Sequence, residues 1–194
     1  MSVKDHTIET LETIRIGTLQ LVDDTGKTRI SLGVRGGKVP SLIFHDQNGQ
    51  ERLIVELLDD GSPCIILADH QRNMRMLLQT LPDGSPCMSQ IDRKGTERSV
   101  LSLAPDGSPE IHLADAKGQV RAGLGVLPAG SPSLSLFDAN GQYRAGFSVL
   151  SNGSPGLSLH DESGATRVSA DVLPGGAPEV TLLGPDGRTI TIAP

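Results

Sequence analysis

Two residue types recur at spacings that could support chemistry. Aspartates stand at Asp23, Asp46, Asp69, Asp92, Asp115, Asp138 and Asp161. Arginines stand at Arg29, Arg52, Arg75, Arg98, Arg121, Arg144 and Arg167. Members of each series are 23 residues apart, and every Arg follows its Asp by six. A structural role fits turn chemistry in every copy. An Asp just before a turn accepts hydrogen bonds from turn N–H groups, and an Arg on the opposite, outer face can lie across neighbouring strands. The functional alternative is a ring of seven Arg that recognises an anionic group by multivalency. Calcium is a weaker candidate: neighbouring Asp residues would lie about 10 Å apart, whereas its ligands lie within about 2.6 Å of one ion.

Other reactive types form no constellation. His6, His45, His70, His112 and His160 are scattered over the repeat, so no metal centre is expected. The serines of the Gly-Ser-Pro turns (Ser62, Ser85, Ser108, Ser131, Ser154) lie in no nucleophile-elbow motif. No glycine-rich phosphate loop precedes a helix. Cys64 and Cys87 occupy the same position of adjacent units, about 10 Å apart, too far for a disulfide. No catalytic residue, cofactor or metal is expected. An enzyme would need a site where copies deviate, near Arg72, Gln90 or Cys87.

The element behind these spacings is a 23-residue unit running 18–40, 41–63, 64–86, 87–109, 110–132, 133–155 and 156–178, with a shortened eighth copy at 179–194. Such a period sets the architecture before any single residue does. In the sixth unit Leu134 and Leu136 alternate with serine, as Ala145, Phe147 and Val149 alternate with small residues. That is the period-two pattern of half-buried strands. Between the runs lies Asn140-Gly141, read as a two-residue turn with φ > 0 at both positions; Asn48-Gly49 repeats it. This turn sets Leu136 opposite Ala145 and Leu134 opposite Phe147. The second turn of a unit, Pro82-Asp83-Gly84 or Pro105-Asp106-Gly107, reads as a type I turn closed by a bulge. Its extra residue keeps Leu78 facing Met88.

The eighth unit moves phase and turn together. Its hairpin turn is Pro185-Asp186-Gly187, and its apolar residues shift so that Leu182 faces Ile190 and Val180 faces Ile192. Elsewhere the pattern breaks. Arg72 replaces the turn glycine, so Asn73 is expected to take the left-handed position in a longer loop. Gln90 sits on the apolar face and needs a partner. Arg35-Gly36-Gly37-Lys38-Val39 replaces a Pro-Asp-Gly turn.

Consecutive strands usually pair, so the expected fold is all-β, a meander of about sixteen strands forming eight tandem hairpins. Each position returns to the same height in the next unit. A ring without shear would be roughly 25 Å wide, too wide for Leu and Val side chains to fill. It must splay into an open, shallow barrel, flatten into a sandwich, or hold something in its centre. A trimeric β-fibre is the remaining alternative.

The repeated Leu-x-Leu-x-Asp-x-x-Gly-x-x-Arg hairpin, followed by a Pro-Asp-Gly-Ser-Pro-like turn, resembles the bacterial β-flower proteins over residues 18–194. The resemblance implies hairpin petals around a shallow, apolar-centred open barrel like the Tubby type, and it supplies no established function. Members are often anchored to membranes at the N-terminus. No anchor is visible here, so membrane association is not expected.

Residues 1–17 stand outside the repeat. Ile8, Leu11 and Ile14 at spacing three suit one face of a short helix, as a plug or trimer-forming segment, and an edge strand suits them equally. Net charge is −6 with 2% aromatics, which argues against nucleic-acid binding. No secretory signal or apolar span is visible, and the expected location is the cytoplasm. The expected function is that of a non-enzymatic structural or interaction protein, monomeric or self-associating. The alternative is a binding module for a hydrophobic or lipid-like small molecule in the apolar centre.

Overall fold

The computed structural model describes residue 13 and residues 15–193. Residues 1–12 and 14, with most of the expected plug segment and His6, lie outside the described residues. Sixteen strands run from β1 (Thr18–Val22) and β2 (Thr28–Arg35) to β15 (Pro178–Leu183) and β16 (Thr189–Ile192). They pair in strict sequence order into one antiparallel sheet. The described residues form no helix, so no helix is long and apolar enough to cross a membrane.

The sheet is open. Among the described residues each strand packs only against its sequence neighbours, so β1 and β16 do not pair with each other and stand at the two edges of the sheet. An unclosed sheet of repeated hairpins is consistent with an open shallow barrel. The single chain does not fold back on itself as a sandwich.

The register confirms zero stagger. One reverse-face row passes through Ser31, Ile43, Ile54, Ile66, Leu77, Ser89, Val100 and His112 without a slip. It continues through Gly123, Ser135, Gly146, Ser158, Ser169, Thr181 and Thr191. The alternation of Leu and Ser in the sequence is therefore an alternation of faces.

The expected pairs form, and one of the expected turns does not. Leu136 faces Ala145, Leu134 faces Phe147, Leu78 faces Met88, and Leu182 faces Ile190. At Asn140-Gly141, however, only Gly141 is left-handed, with φ 77°; Asn48 and Asn140 are not. Gly141 N donates to Asp138 O at 3.0 Å and Asp138 N to Gln142 O at 2.9 Å. That is a three-residue type I turn with a glycine bulge, the same closure made by Leu81 and Ser85 around Pro82-Asp83-Gly84. Except in the first and seventh units, whose closing turns carry two left-handed glycines, both ends of a unit thus use one turn type.

The odd period is restored by a second device. Phe137 pairs with Tyr143, while the preceding Leu136 pairs with Ala145. Arg144 is the unopposed extra residue of a β-bulge. Arg29, Arg52, Arg75, Arg98, Arg121 and Arg167 occupy the same bulge position. The last hairpin has no such shift. Its phase change therefore comes from the missing Arg bulge and not from a different turn.

Arg72 corrects another expectation. It takes the left-handed conformation itself, at φ 69°. Arg72 N donates to Asp69 O, and Asp69 N to Asn73 O. The loop keeps the length of its relatives. In the first unit Gly36 and Gly37 are both left-handed, at φ 59° and 75°, which serves the turn joining β2 to its neighbour.

Candidate functional site

Two apolar rows cross the other face. The first takes one residue from every strand: Leu19, Leu32, Leu42, Val55, Ile65, Leu78, Met88 and Leu101, then Ile111, Leu124, Leu134, Phe147, Leu157, Ala170, Val180 and Ile192. The second row runs beside it through Leu67, Met76, Leu113, Leu136, Leu159 and Leu182, broken only at the facing pair Gln90 and Ser99. No charged residue stands in either row. These side chains are open to solvent: Leu124 is 51% exposed and Phe147 53%. The reverse face is more enclosed, with Ser89 at 1% and Ile43 at 6%. Gln90, on the open face, is exposed and so needs no buried partner.

A depression of about 310 Å³ opens on this face between Leu78, Met88, Leu101 and Leu103. It is shallow and mostly apolar, with Cys87 and Ser102 the polar members of its lining.

The Asp and Arg series frame the rows at the hairpin tips. Asp138 Oδ1 accepts from Asn140 N at 2.8 Å and Gln142 N at 3.1 Å. Asp23, Asp46, Asp69, Asp92, Asp115 and Asp161 accept equivalent pairs. These bonds hold the carboxyl groups below the usual range. The leading cause is the Gln50 amide for Asp46, the Asn140 amide for Asp138, and the Ser163 hydroxyl for Asp161.

Five of the seven Arg (Arg52, Arg98, Arg121, Arg144 and Arg167) link two hairpins. Arg52 Nε donates to Ala68 O at 2.8 Å, and its Nη1 meets Asp46 Oδ2 at 3.3 Å. Arg98 repeats this with Ala114 O and Asp92, and Arg121 with Phe137 O and Asp115. Arg167 bonds Asp161 and reaches Gly184 O at 2.9 Å. Arg29 makes a looser contact with Asp23, at 3.7 Å. Arg75 departs from the pattern: Asn73 Nδ2 takes Asp69 Oδ2, leaving Arg75 Nη1 buried without a partner. Arg75 and Arg98 border a hollow with Leu67, Met76 and Gln90. They therefore stand at the rim of the apolar face, not on the opposite face, because the bulge breaks the simple alternation that had placed them there.

Cys64 and Cys87 are free thiols, both facing Gln79 from either side. Burial first, then the Glu56 charge, pushes the Cys64 thiol up. Among the described residues no three His, Cys, Asp or Glu gather as a metal cluster.

Sequence reading missed two features of the reverse face. Ile43, Ile54, Ile66, Leu77 and Val100 form an apolar ladder there. Its signal was the loss of alternation in Leu42-Ile43-Phe44, Leu53-Ile54-Val55 and Ile65-Ile66-Leu67, as in strands covered on both faces. The second is a cluster around Tyr143, whose ring lies 4.8 Å from that of His160 and 5.9 Å from that of Phe137. Ser158 Oγ lies 3.1 Å from His160 Nε2. Gly146 leaves the space that Tyr143 covers. Ser31 and His45 make a similar pair at 3.1 Å.

No family model matches this chain, and no curated protein matches it. Among solved structures it is similar to the TCP domain of SAS-4 (dCPAP) from Drosophila melanogaster, solved with a proline-rich motif of Ana2 (dSTIL). Identity is 11%, over 89% of this chain and 95% of that one, with a TM-score of 0.46. The class that this chain's own geometry defines is an all-β hairpin-repeat protein with a single open sheet.

Proposed function

We propose that this chain is a non-enzymatic structural or interaction repeat protein whose working surface is the apolar face of its sheet. One observation carries the reading: two charge-free rows span the sheet and remain about half exposed at positions such as Leu124 and Phe147. Continuous apolar surface on this scale marks an interaction site, and repeat arrays commonly act through an extended face. The Arg and Asp series serve this surface by fixing adjacent hairpins in register.

Paired substitutions test the reading. Leu124→Asp places a charge on the apolar face, and Ser135→Asp places one on the reverse face between Gly123 and Gly146. Solution mass and binding of an apolar fluorescent dye are the readouts. Leu124→Asp is expected to change at least one of them and Ser135→Asp neither. Identical behaviour of Leu124→Asp and the wild type would overturn the proposal.

The depression at Leu78, Met88 and Leu101 favours a second reading, a module for a hydrophobic or lipid-like molecule in a β-flower-like centre. Its 310 Å³ is at the lower end of the usual range for small-molecule pockets. Native mass spectrometry would then show extra mass that disappears on denaturation. Its absence from freshly purified protein would remove this reading.

A further inference from the structure

The geometry points to a second copy of this chain as the occupant of the apolar face, giving a two-sheet sandwich between chains. This rests on the reading of that face as the interaction surface. The first argument is area. The chain exposes 13450 Å², whereas a compact protein of its mass exposes about 8,800 Å². Discounting the most that the seventeen residues ahead of β1 could add, about 2,700 Å², still leaves roughly 2,000 Å² in excess. A face sixteen strands wide and five residues deep covers about 1,300 Å². Two such faces in contact would bury about 2,600 Å², within the range of obligate homodimers.

The second argument is charge. Each chain carries a net charge of −6, so two copies repel unless they meet through a neutral surface. The reverse face presents Glu110, Asp171 and Glu179 in register with the strands. The two apolar rows present no charge. Apolar-to-apolar packing leaves the acidic faces in water, at the usual sheet separation of about 10 Å.

The third argument is symmetry. Gln90 and Ser99, the polar break in the second row, lie on the seventh and eighth of sixteen strands. A two-fold axis through the middle of the sheet therefore brings the polar positions of both copies close together. Isologous contacts are self-complementary in this way, and a buried polar position can fix one register among several similar ones.

The test is native mass spectrometry of the full chain over a concentration series, with Leu124→Asp/Leu134→Asp and Phe147→Glu as variants. Far-UV circular dichroism verifies that both variants keep their strands, and apolar dye binding is read in parallel. The wild type is expected at twice 20.4 kDa; the variants are expected as folded monomers. A wild-type monomer that binds dye would overturn self-pairing while leaving the interaction surface standing. A wild-type monomer that excludes dye would overturn both, since the face would then be covered within the chain. A trimer or larger assembly would overturn the two-sheet sandwich. A dimer that persists in the folded variants would place the contact at the outer edges of β1 and β16 and overturn self-pairing through the apolar face.

Discussion

Arg144 reaches across a hairpin boundary: its Nε donates to the backbone carbonyl of His160 at 2.9 Å. The same guanidinium bonds Asp138 of its own turn at 3.2 Å. The accepting carbonyl belongs to the residue just before the next turn aspartate, Asp161. One side chain thus ties turn, bulge and following hairpin together. The hairpin of β15 and β16 lacks this bulge; Arg188 there meets Asp186 while 89% exposed.

Arg144→Ala should therefore weaken the sheet without altering its register. The loss is expected to be about 1–2 kcal/mol, the range for a hydrogen bond to a charged group, reduced by partial exposure. Arg144→Lys should recover only part of it, because an ammonium cannot span both acceptors as a planar fork does. Urea unfolding midpoints measure both effects. A midpoint for Arg144→Ala equal to that of the wild type would show that the link adds nothing.

Arg72 offers a stabilising change. Its left-handed φ of 69° is adopted by glycine in the equivalent turns, and a non-glycine residue there costs of order 1 kcal/mol or more. Arg72→Gly should raise stability by about 1 kcal/mol. Thermal and urea unfolding would reveal this as a higher midpoint, and an unchanged or lower one would refute the strain.

The hydrophobic phase was readable because Leu134, Leu136, Ala145 and Phe147 alternate around an evident turn. The means of keeping that phase was not. A two-residue turn, and a three-residue turn followed by a bulge, give the same pairing of Leu136 with Ala145. Pairing alone could not reveal Arg144 as the extra residue. The backbone of Arg72 was hidden for a related reason: loop hydrogen bonds from Asp69 enforce the left-handed position whichever residue fills it. The reverse-face ladder of Ile43, Ile54 and Ile66 was visible as lost alternation, but became a feature only when zero stagger aligned it across strands. The openness of the sheet depends on whether β1 meets β16, which no local pattern encodes.

Acid should destabilise the fold. Asp23, Asp46, Asp69, Asp92, Asp115, Asp138 and Asp161 all titrate below the ordinary value in the folded chain. Groups depressed on folding contribute stability above their unfolded value, about 3.9, and lose it as pH falls through the folded values. The urea midpoint should hold between pH 7 and pH 5 and drop by pH 3. A midpoint as high at pH 3 as at pH 5 would mean that the turn bonds do not favour the ionised form.

Carbene footprinting of the wild-type chain across a dilution series tests the central claim most directly, because it reads each face of the sheet residue by residue. Leu101, Leu124, Leu134 and Phe147 should be protected at high concentration and become labelled on dilution, with Val100 and Thr181 on the reverse face unchanged. Equal labelling of the apolar rows at every concentration, or concentration-dependent protection of the reverse face instead, would contradict the account.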